Sequence, residues 1–207
     1  MKRIVCFGDS NTYGYDAITN GRFREEVRYT GVLQKLAGPD YVIIEEGLSG
    51  RTTCFEDPIN EGMSGFNYLY PCLMSHGPFD MLVVMLGTND CKERYSATPK
   101  NIADGMKRII EKAKAMPVWT EKPNILLICP PPIQKECESS FVAGEMGICS
   151  DKSYHLGEEY KALADLEQID YFDAKDADMD QIDYMHLSAE GHNWLAHQIW
   201  NRVRERV

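Results

Sequence analysis

The stretch that decides the fold lies near the start of the chain and reads Cys6-Phe7-Gly8-Asp9-Ser10-Asn11-Thr12. It follows directly on the apolar residues Ile4 and Val5, which indicates a buried strand that ends at a turn. In open α/β sheets the ligand crevice lies outside the carboxyl ends of the strands, so this turn would carry a serine hydroxyl to the crevice. Ser10 is therefore a candidate nucleophile. The alternative is that Asp9 or Ser10 merely caps the next segment, and the motif alone does not decide between the two.

An acid and a base that could serve such a nucleophile lie close together near the end of the chain. Asp183 and His186 are separated by two residues and precede the last predicted helix. A serine hydroxyl near its free pKa is a poor nucleophile, so it needs a base within hydrogen-bond reach and a third group that orients the base. This pair favours the catalytic interpretation of Ser10.

The size and charge of the chain limit what it can be. Its 207 residues, 43% of them hydrophobic, fit a single domain spanning residues 1–207. The 32 acidic residues outnumber the 22 Lys and Arg, and the formal net charge is −10. Nucleic acids and anionic membranes favour clustered positive charge, so we expect neither as a partner, and a small molecule fits better.

The N-terminus and the cysteines bear on location. After Met1-Lys2-Arg3 only four apolar residues precede Gly8, too few for the core of a signal peptide, and no run has the length of a membrane span. The seven cysteines form no Cys-x-x-Cys pair, and an odd number cannot all pair within one chain. We therefore expect a reduced, cytoplasmic protein.

Five runs have the composition of β-strands, and each is separated from the next by enough residues for a helix. The third and fourth runs are apolar on both faces, as central strands covered by helices on each side would be. Right-handed crossovers leave few topologies, and we expect an α/β fold with five parallel strands in the order 2-1-3-4-5. The runs are Arg3–Phe7, Tyr41–Glu45, Met81–Leu86, Asn124–Cys129 and Asp170–Phe172.

Helical periodicity occupies much of the remaining chain. The clearest helix should follow Thr98 as N-cap, with Pro99 at its first position and Pro117 ending the run. The last helix should begin after Ser188 as N-cap and run to about Arg206. Weaker patterns predict helices over Arg28–Leu36, Gly65–Ser75 and Asp151–Gln168.

Polar, chemistry-bearing residues follow successive strands of this predicted sheet. Acyl transfer from an ester needs a nucleophile, a base, an orienting group and hydrogen-bond donors for the developing oxyanion. Asn89 offers a side-chain amide for the last task, Gly50 offers a backbone N–H and Ser10 offers its own N–H. The short stretches are Gly8-Asp9-Ser10-Asn11, Gly47-Leu48-Ser49-Gly50-Arg51, Gly87-Thr88-Asn89-Asp90 and Asp183-Tyr184-Met185-His186.

In their order and spacing these four stretches resemble the sequence blocks of the SGNH hydrolases, the GDSL-type esterase superfamily, and most of the chain is similar to its arylesterase/acyltransferase branch. The resemblance implies a flavodoxin-like, three-layer α/β/α fold and a serine esterase that needs no metal and no cofactor. It further implies a triad of Ser10, His186 and Asp183, and an oxyanion hole of Ser10, Gly50 and Asn89. The glycine of the second block is ambiguous between Gly47 and Gly50, and we favour Gly50.

A metal site has little support in the sequence. His192 and His197 lie on one predicted helix, but a spacing of five residues turns them about 140° apart on an α-helix, so they do not share a face. No carboxylate pattern accompanies them.

The substrate is less well determined than the reaction. Thr12–Val27, Cys54–Tyr70 and Pro130–Ser150 are long connections that should crowd the crevice, so we expect short acyl groups, above all acetyl. The expected substrate contacts are Asn11, Tyr15 and Pro131. Loops of this kind meet neighbouring subunits in the similar branch, so a homo-oligomer and some acyl transfer to alcohols are also expected. Two alternatives remain: a carbohydrate O-acetyl esterase and a non-enzymatic, flavodoxin-like binding module.

Overall fold

A computed structural model describes all residues, 1–207, and its centre is a five-stranded parallel sheet. The strand order is β4-β1-β5-β6-β7, which confirms the predicted order 2-1-3-4-5. Two further short strands, β2 and β3, pair as a separate antiparallel ribbon. The strands are β1 Lys2–Gly8, β2 Tyr15–Asp16, β3 Gly21–Arg22, β4 Tyr41–Gly47, β5 Met81–Met85, β6 Ile125–Cys129 and β7 Asp170–Asp173.

Helices cover both faces of the sheet, as a three-layer α/β/α arrangement requires. Helices α2 and α8 pack on one face, and α3, α4 and α7 pack on the other. None of the helices is both long and apolar enough to cross a membrane. The helices are α1 Ser10–Tyr13, α2 Tyr29–Ala37, α3 Gly65–His76, α4 Pro99–Ala115, α5 Ala143–Met146, α6 Ser150–Tyr154, α7 Leu156–Glu167 and α8 Ala189–Val203.

The two helices predicted from capping signals begin where expected. Thr98 caps α4 and forms a reciprocal capping box with Asn101, while Pro99 occupies the first turn, where its missing N–H leaves no helical bond unmade. Ser188 caps α8 by accepting a hydrogen bond from the Gly191 N–H. Helix α8 ends at Val203 and not near Arg206, because the last residues leave the helix in a turn.

The apolar character of the central strands places them in the core. Every residue of β5 and β6 is buried, and β1 is buried over its last five residues. Strand β4 lies at the edge and is only half-buried. The buried strands end at the same edge of the sheet, so the residues that follow them are held by the most rigid part of the molecule.

Two connections predicted as loops contain local structure. Thr12–Val27 includes the end of α1 and the β2–β3 ribbon, and Pro130–Ser150 includes a 3₁₀ turn at Lys135–Ser139 and helix α5. Buried side chains anchor part of both segments, although their spacing in the sequence shows no helical or strand period; in the second segment they include Ile133, Cys137, Met146 and Cys149. All seven cysteines are free thiols, and all but the half-buried Cys54 are buried.

Candidate active site

The serine turn begins where β1 ends. Asp9 is the N-cap of the four-residue helix α1, and its side chain accepts a hydrogen bond from the Asn11 N–H at 3.0 Å. Ser10 is the first residue of α1 and is almost completely buried. The capping role considered for this motif therefore falls to Asp9, and the Ser10 hydroxyl stays available for another partner.

The loop before α8 is organised by carboxylates that bind its own backbone. Asp180 accepts hydrogen bonds from the N–H groups of Ile182 and Asp183, at 2.7 and 2.9 Å. One oxygen of Asp183 accepts in turn from the N–H groups of Met185 and His186, at 3.0 and 3.2 Å. The three-residue spacing from Asp183 to His186 thus allows one carboxylate to fold the loop and still present its second oxygen to the imidazole.

Ser10, His186 and Asp183 form one continuous hydrogen-bonded line. The distance from Ser10 Oγ to His186 Nε2 is 2.8 Å, and that from His186 Nδ1 to Asp183 Oδ2 is 2.6 Å. Burial opposes ionisation of Asp183, but its hydrogen bond and electrostatic interaction with His186 outweigh burial and lower the pKa of Asp183. The ionised Asp183 accepts a hydrogen bond from His186 Nδ1–H, so the unprotonated Nε2 can accept the proton of the Ser10 hydroxyl.

Asn11 lies beside this line but does not face the crevice. Its side chain is buried, and Oδ1 accepts a hydrogen bond at 2.9 Å from the N–H of Leu187, the residue after His186. The structure therefore places Asn11 between the serine turn and the histidine loop, and not among the residues that line the cavity, where we expected it.

Ser10, Gly50 and Asn89 all line one cavity at the edge of the sheet. The Asn89 amide donates one hydrogen bond to the Arg51 carbonyl at 3.2 Å, so its orientation is fixed and a second amide hydrogen is left over. Gly50 has a φ of 89°, a left-handed conformation that favours glycine. Gly47 is also indispensable as glycine, but for packing: a Cβ there would lie 2.1 Å from the backbone nitrogen of Tyr13. Gly50, and not Gly47, faces the cavity.

Two buried ionisable side chains, Arg51 and Asp90, hold these strand ends together. Arg51 donates to the carbonyls of Gly8 and Glu46, at 2.8 and 2.5 Å, and so joins the ends of β1 and β4. Asp90 accepts from the Thr53 N–H at 2.9 Å and from the Thr53 hydroxyl at 2.5 Å, which joins β5 to the connection after β4. Complete burial raises the pKa of Asp90 to about 7, even though the bonds from Thr53 oppose the shift.

The cavity has a volume of about 340 Å³, near the small end of the range for ligand sites. Tyr15 lies at its wall, with its ring centroid 4.6 Å from that of His186. Pro131 is buried and does not line it, in contrast to our expectation. The remaining wall comes from all three long connections, from the turns after β4 and β5 and from the loop before α8; its residues are Asn20, Ser49, Asn60, Met63, Lys92, Phe141, Val142, Glu145, Met146 and Met185.

Three of the residues that shape this site are not predicted from the sequence. Asp180 carries the signal that could have found it, an acid three residues before Asp183 that repeats the spacing from Asp183 to His186. Lys92 and Glu145, which form an ion pair at the cavity, lie 53 residues apart without a local signal.

The other histidines and acids are arranged as structural groups. His192 is completely buried on α8, where burial lowers its pKa to about 3, and its Nδ1 accepts a hydrogen bond from the Tyr29 N–H. Two clusters have potential metal-binding atoms within 4.8 Å of one another: Asp180, Asp183 and His186, and, in a separate place, Glu46, Cys72 and His76. In the first cluster His186 Nδ1 is already bonded to Asp183, and in the second His76 Nε2 is bonded to Glu46 at 2.6 Å.

Comparisons with known proteins show the family of this chain. The model of the GDSL-like lipase/acylhydrolase family matches residues 6–194. An aryl esterase of M. smegmatis is 33% identical with a TM-score of 0.90, and the match covers 100% of both chains. Est24, a carbohydrate acetylesterase from Sinorhizobium meliloti, is 36% identical with a TM-score of 0.89 over 99% of each chain. Among curated proteins, none matches this sequence.

The fold and the esterases that share it define a hydrolase of ester bonds. The chain belongs to the GDSL-like lipase/acylhydrolase family, also called SGNH hydrolases. Membership in this family of enzymes decides against the alternative of a non-enzymatic binding module.

Proposed function

We propose that this protein is a serine esterase that releases short acyl groups, above all acetyl, from small esters. The observation that carries the proposal is the 2.8 Å contact between Ser10 Oγ and His186 Nε2, in a line that ends at the ionised Asp183. In this arrangement His186 takes the proton as Ser10 attacks the ester carbonyl, and Asp183 stabilises the imidazolium that forms. No step requires a metal or a cofactor.

The developing oxyanion would be bound by the cavity-facing donors. These are the N–H groups of Ser10 and Gly50 and the free amide hydrogen of Asn89. His186 then gives its proton to the leaving alcohol, and a water activated by the same imidazole hydrolyses the acyl-enzyme. The donors are held before substrate arrives, so little reorganisation is needed in the transition state.

The small cavity supports the preference for acetyl. Its volume of about 340 Å³ must hold both the acyl group and the alcohol, and side chains of the three long connections fill the rest of the crevice. Tyr15 covers the imidazole from one side, which limits how far an acyl chain can extend there.

A carbohydrate O-acetyl ester is the second candidate substrate. Est24, the similar protein from S. meliloti, is described as a carbohydrate acetylesterase, and Asn20, Ser49 and Asn60 give this cavity polar groups that could bind sugar hydroxyls. An aryl acetate would instead use the apolar side chains Met63 and Phe141.

Acyl transfer, self-association and a cytoplasmic location remain predictions. Large apolar side chains are exposed on the three connections, with Ile18 and Ile59 both 74% exposed and Phe141 63% exposed. A second subunit covering them would narrow the entrance, keep bulk water out and let an alcohol compete for the acyl-enzyme. Light scattering combined with product analysis in dilute alcohol tests both points, and a monomer that forms only free acid would contradict them.

The free thiols of all seven cysteines fit a reducing compartment, and fractionation of producing cells would test the location.

The main proposal is tested with a panel of acyl donors, in which acetylated sugars are compared with aryl esters of increasing acyl length. Wild type should prefer acetyl, and Ser10→Ala should lose both turnover and labelling by a fluorophosphonate probe while keeping the thermal stability of wild type. Retention of most esterase activity by Ser10→Ala would remove Ser10 from the mechanism.

A further inference from the structure

Lys92 places a buried positive charge at the active-site cavity. It follows Asn89 in the turn after β5, and its backbone N–H donates to the Asn89 carbonyl at 3.1 Å. The Lys92 side chain is only 2% exposed, yet it lines the same cavity as Ser10 and Asn89. The backbone that carries this ammonium is therefore bonded to that of Asn89, in the turn after the same strand.

The protein satisfies only part of the hydrogen-bonding capacity of this ammonium. Lys92 Nζ has three N–H donors, and its one protein partner is Glu145 Oε1 at 2.5 Å. The Glu145 side chain is 53% exposed, so the partner of a buried charge is itself half in water. Burying an ammonium with unpaired donors lowers the stability of the folded protein, so stability does not explain why a lysine occupies this position.

The ion pair is not needed to hold helix α5 in place. The backbone of that helix is already fixed by Arg94, which donates to the Glu145 carbonyl at 2.9 Å. Buried Met146 anchors the same turn in the core. Glu145 can therefore change its contact with Lys92 without loss of the wall that α5 forms.

We propose that Lys92 determines substrate specificity by donating a hydrogen bond to an acceptor oxygen that the ester carries in addition to its reacting group. In the free enzyme Glu145 balances the charge. A hydroxyl of the substrate would join the pair, whereas a carboxylate would replace Glu145 at Nζ. This inference rests on the proposed esterase function and narrows its substrates to esters with a polar substituent.

The test compares Lys92→Met, which keeps the length of the side chain and removes its charge, with wild type on three esters. 4-Nitrophenyl acetate is the reference without an extra acceptor, an acetylated monosaccharide carries hydroxyls on the alcohol side, and the 4-nitrophenyl hemiester of succinic acid carries a carboxylate on the acyl side. Loss of one charge-assisted hydrogen bond should lower kcat/KM for an acceptor-bearing ester, relative to the reference, by about tenfold or more, mainly through KM.

Two ratios are compared between Lys92→Met and wild type: kcat/KM for each acceptor-bearing ester divided by kcat/KM for 4-nitrophenyl acetate. A fall in either ratio supports the inference and identifies the side of the ester that Lys92 contacts. If both ratios stay as in wild type, the inference is wrong. Glu145→Gln leaves the Lys92 charge unbalanced and should raise kcat/KM for the succinate hemiester, which gives an independent test if Lys92→Met does not fold. In Glu145→Gln, an unchanged or lower value for that ester contradicts replacement of Glu145 by a carboxylate.

Lys114→Met is the matched control. Lys114 pairs with Glu167 at 2.8 Å and does not line the cavity, so its removal deletes an ion pair elsewhere and should leave all three rates and their ratios as in wild type. Labelling of Ser10 by the fluorophosphonate probe separates the two proposals. Wild type that neither labels nor hydrolyses the reference ester refutes the esterase proposal, whereas intact labelling with unchanged ratios refutes only the role of Lys92.

Discussion

Replacement of Asn89 by alanine should slow the chemical step far more than it weakens substrate binding. The Asn89 amide is held by its bond to the Arg51 carbonyl at 3.2 Å, and its remaining hydrogen is the one side-chain donor that we assign to the oxyanion. A hydrogen bond that strengthens as negative charge develops acts on the transition state, so its loss lowers kcat. Removal of one such donor typically costs on the order of 10²- to 10³-fold in kcat, or about 3–4 kcal/mol.

The assay is steady-state hydrolysis of 4-nitrophenyl acetate, with the pre-steady-state burst followed to separate acylation from deacylation. Asn60→Ala is the matched control, because Asn60 is an exposed residue that also lines the cavity but lies far from the strand ends in sequence. It should change kcat by much less. An increase in KM at constant kcat for Asn89→Ala, or a loss no larger than that of the control, would refute the oxyanion role.

Three further predictions concern protons and metals. Hydrolysis should be slower in acid than at neutral pH, since only a neutral imidazole can accept the Ser10 proton, and a flat pH profile of kcat/KM would contradict this. EDTA should not inhibit; inhibition that zinc reverses would overturn the metal-free mechanism. Burial raises the pKa of Asp90 from 3.8 to about 7, so its contribution to stability is complete below about pH 4 and is lost as pH rises through 7. The loss in the free energy of unfolding is at most about 4 kcal/mol, and Asp90→Asn should not show it. Urea unfolding of both proteins at the two ends of this pH range measures the loss. If the variant and wild type depend on pH in the same way, the pKa of Asp90 is not raised.

The sheet and the main helices could be predicted because their signals are local and mutually consistent. Runs such as Met81–Leu86 are apolar throughout, and only a strand covered on both faces buries such a run without exposing half of it. The capping residues Thr98 and Ser188 mark helix starts through bonds to residues only three positions away. Once the alternation of strands and helices is established, right-handed crossovers leave few topologies, and the observed strand order is one of them.

The details of the site depend on contacts between distant residues, which the sequence does not encode locally. Asn11 neighbours Ser10 in sequence, but the partner of its side chain, the Leu187 N–H, lies 176 residues away. Pro131 belongs to a connection that forms part of the cavity wall, yet Pro131 itself is buried and does not line the cavity. The ion pair of Lys92 and Glu145 similarly forms only after the turn beyond β5 meets α5.

The four sequence blocks are linked to one another by the neighbours of the residues to which we assign the chemistry. Asn11 bonds the serine turn to the histidine loop, Arg51 bonds the end of β4 to that of β1, and Asp90 bonds the turn after β5 to Thr53 in the connection after β4. The Asn89 amide links the third block to the second by donating a hydrogen bond to the Arg51 carbonyl. A motif position beside Ser10, Gly50 or Asn89 is therefore restricted even where it touches no substrate, because it fixes the distance between two blocks. Such distances must hold within about 0.5 Å for efficient chemistry, which explains why short motifs far apart in sequence define a single site.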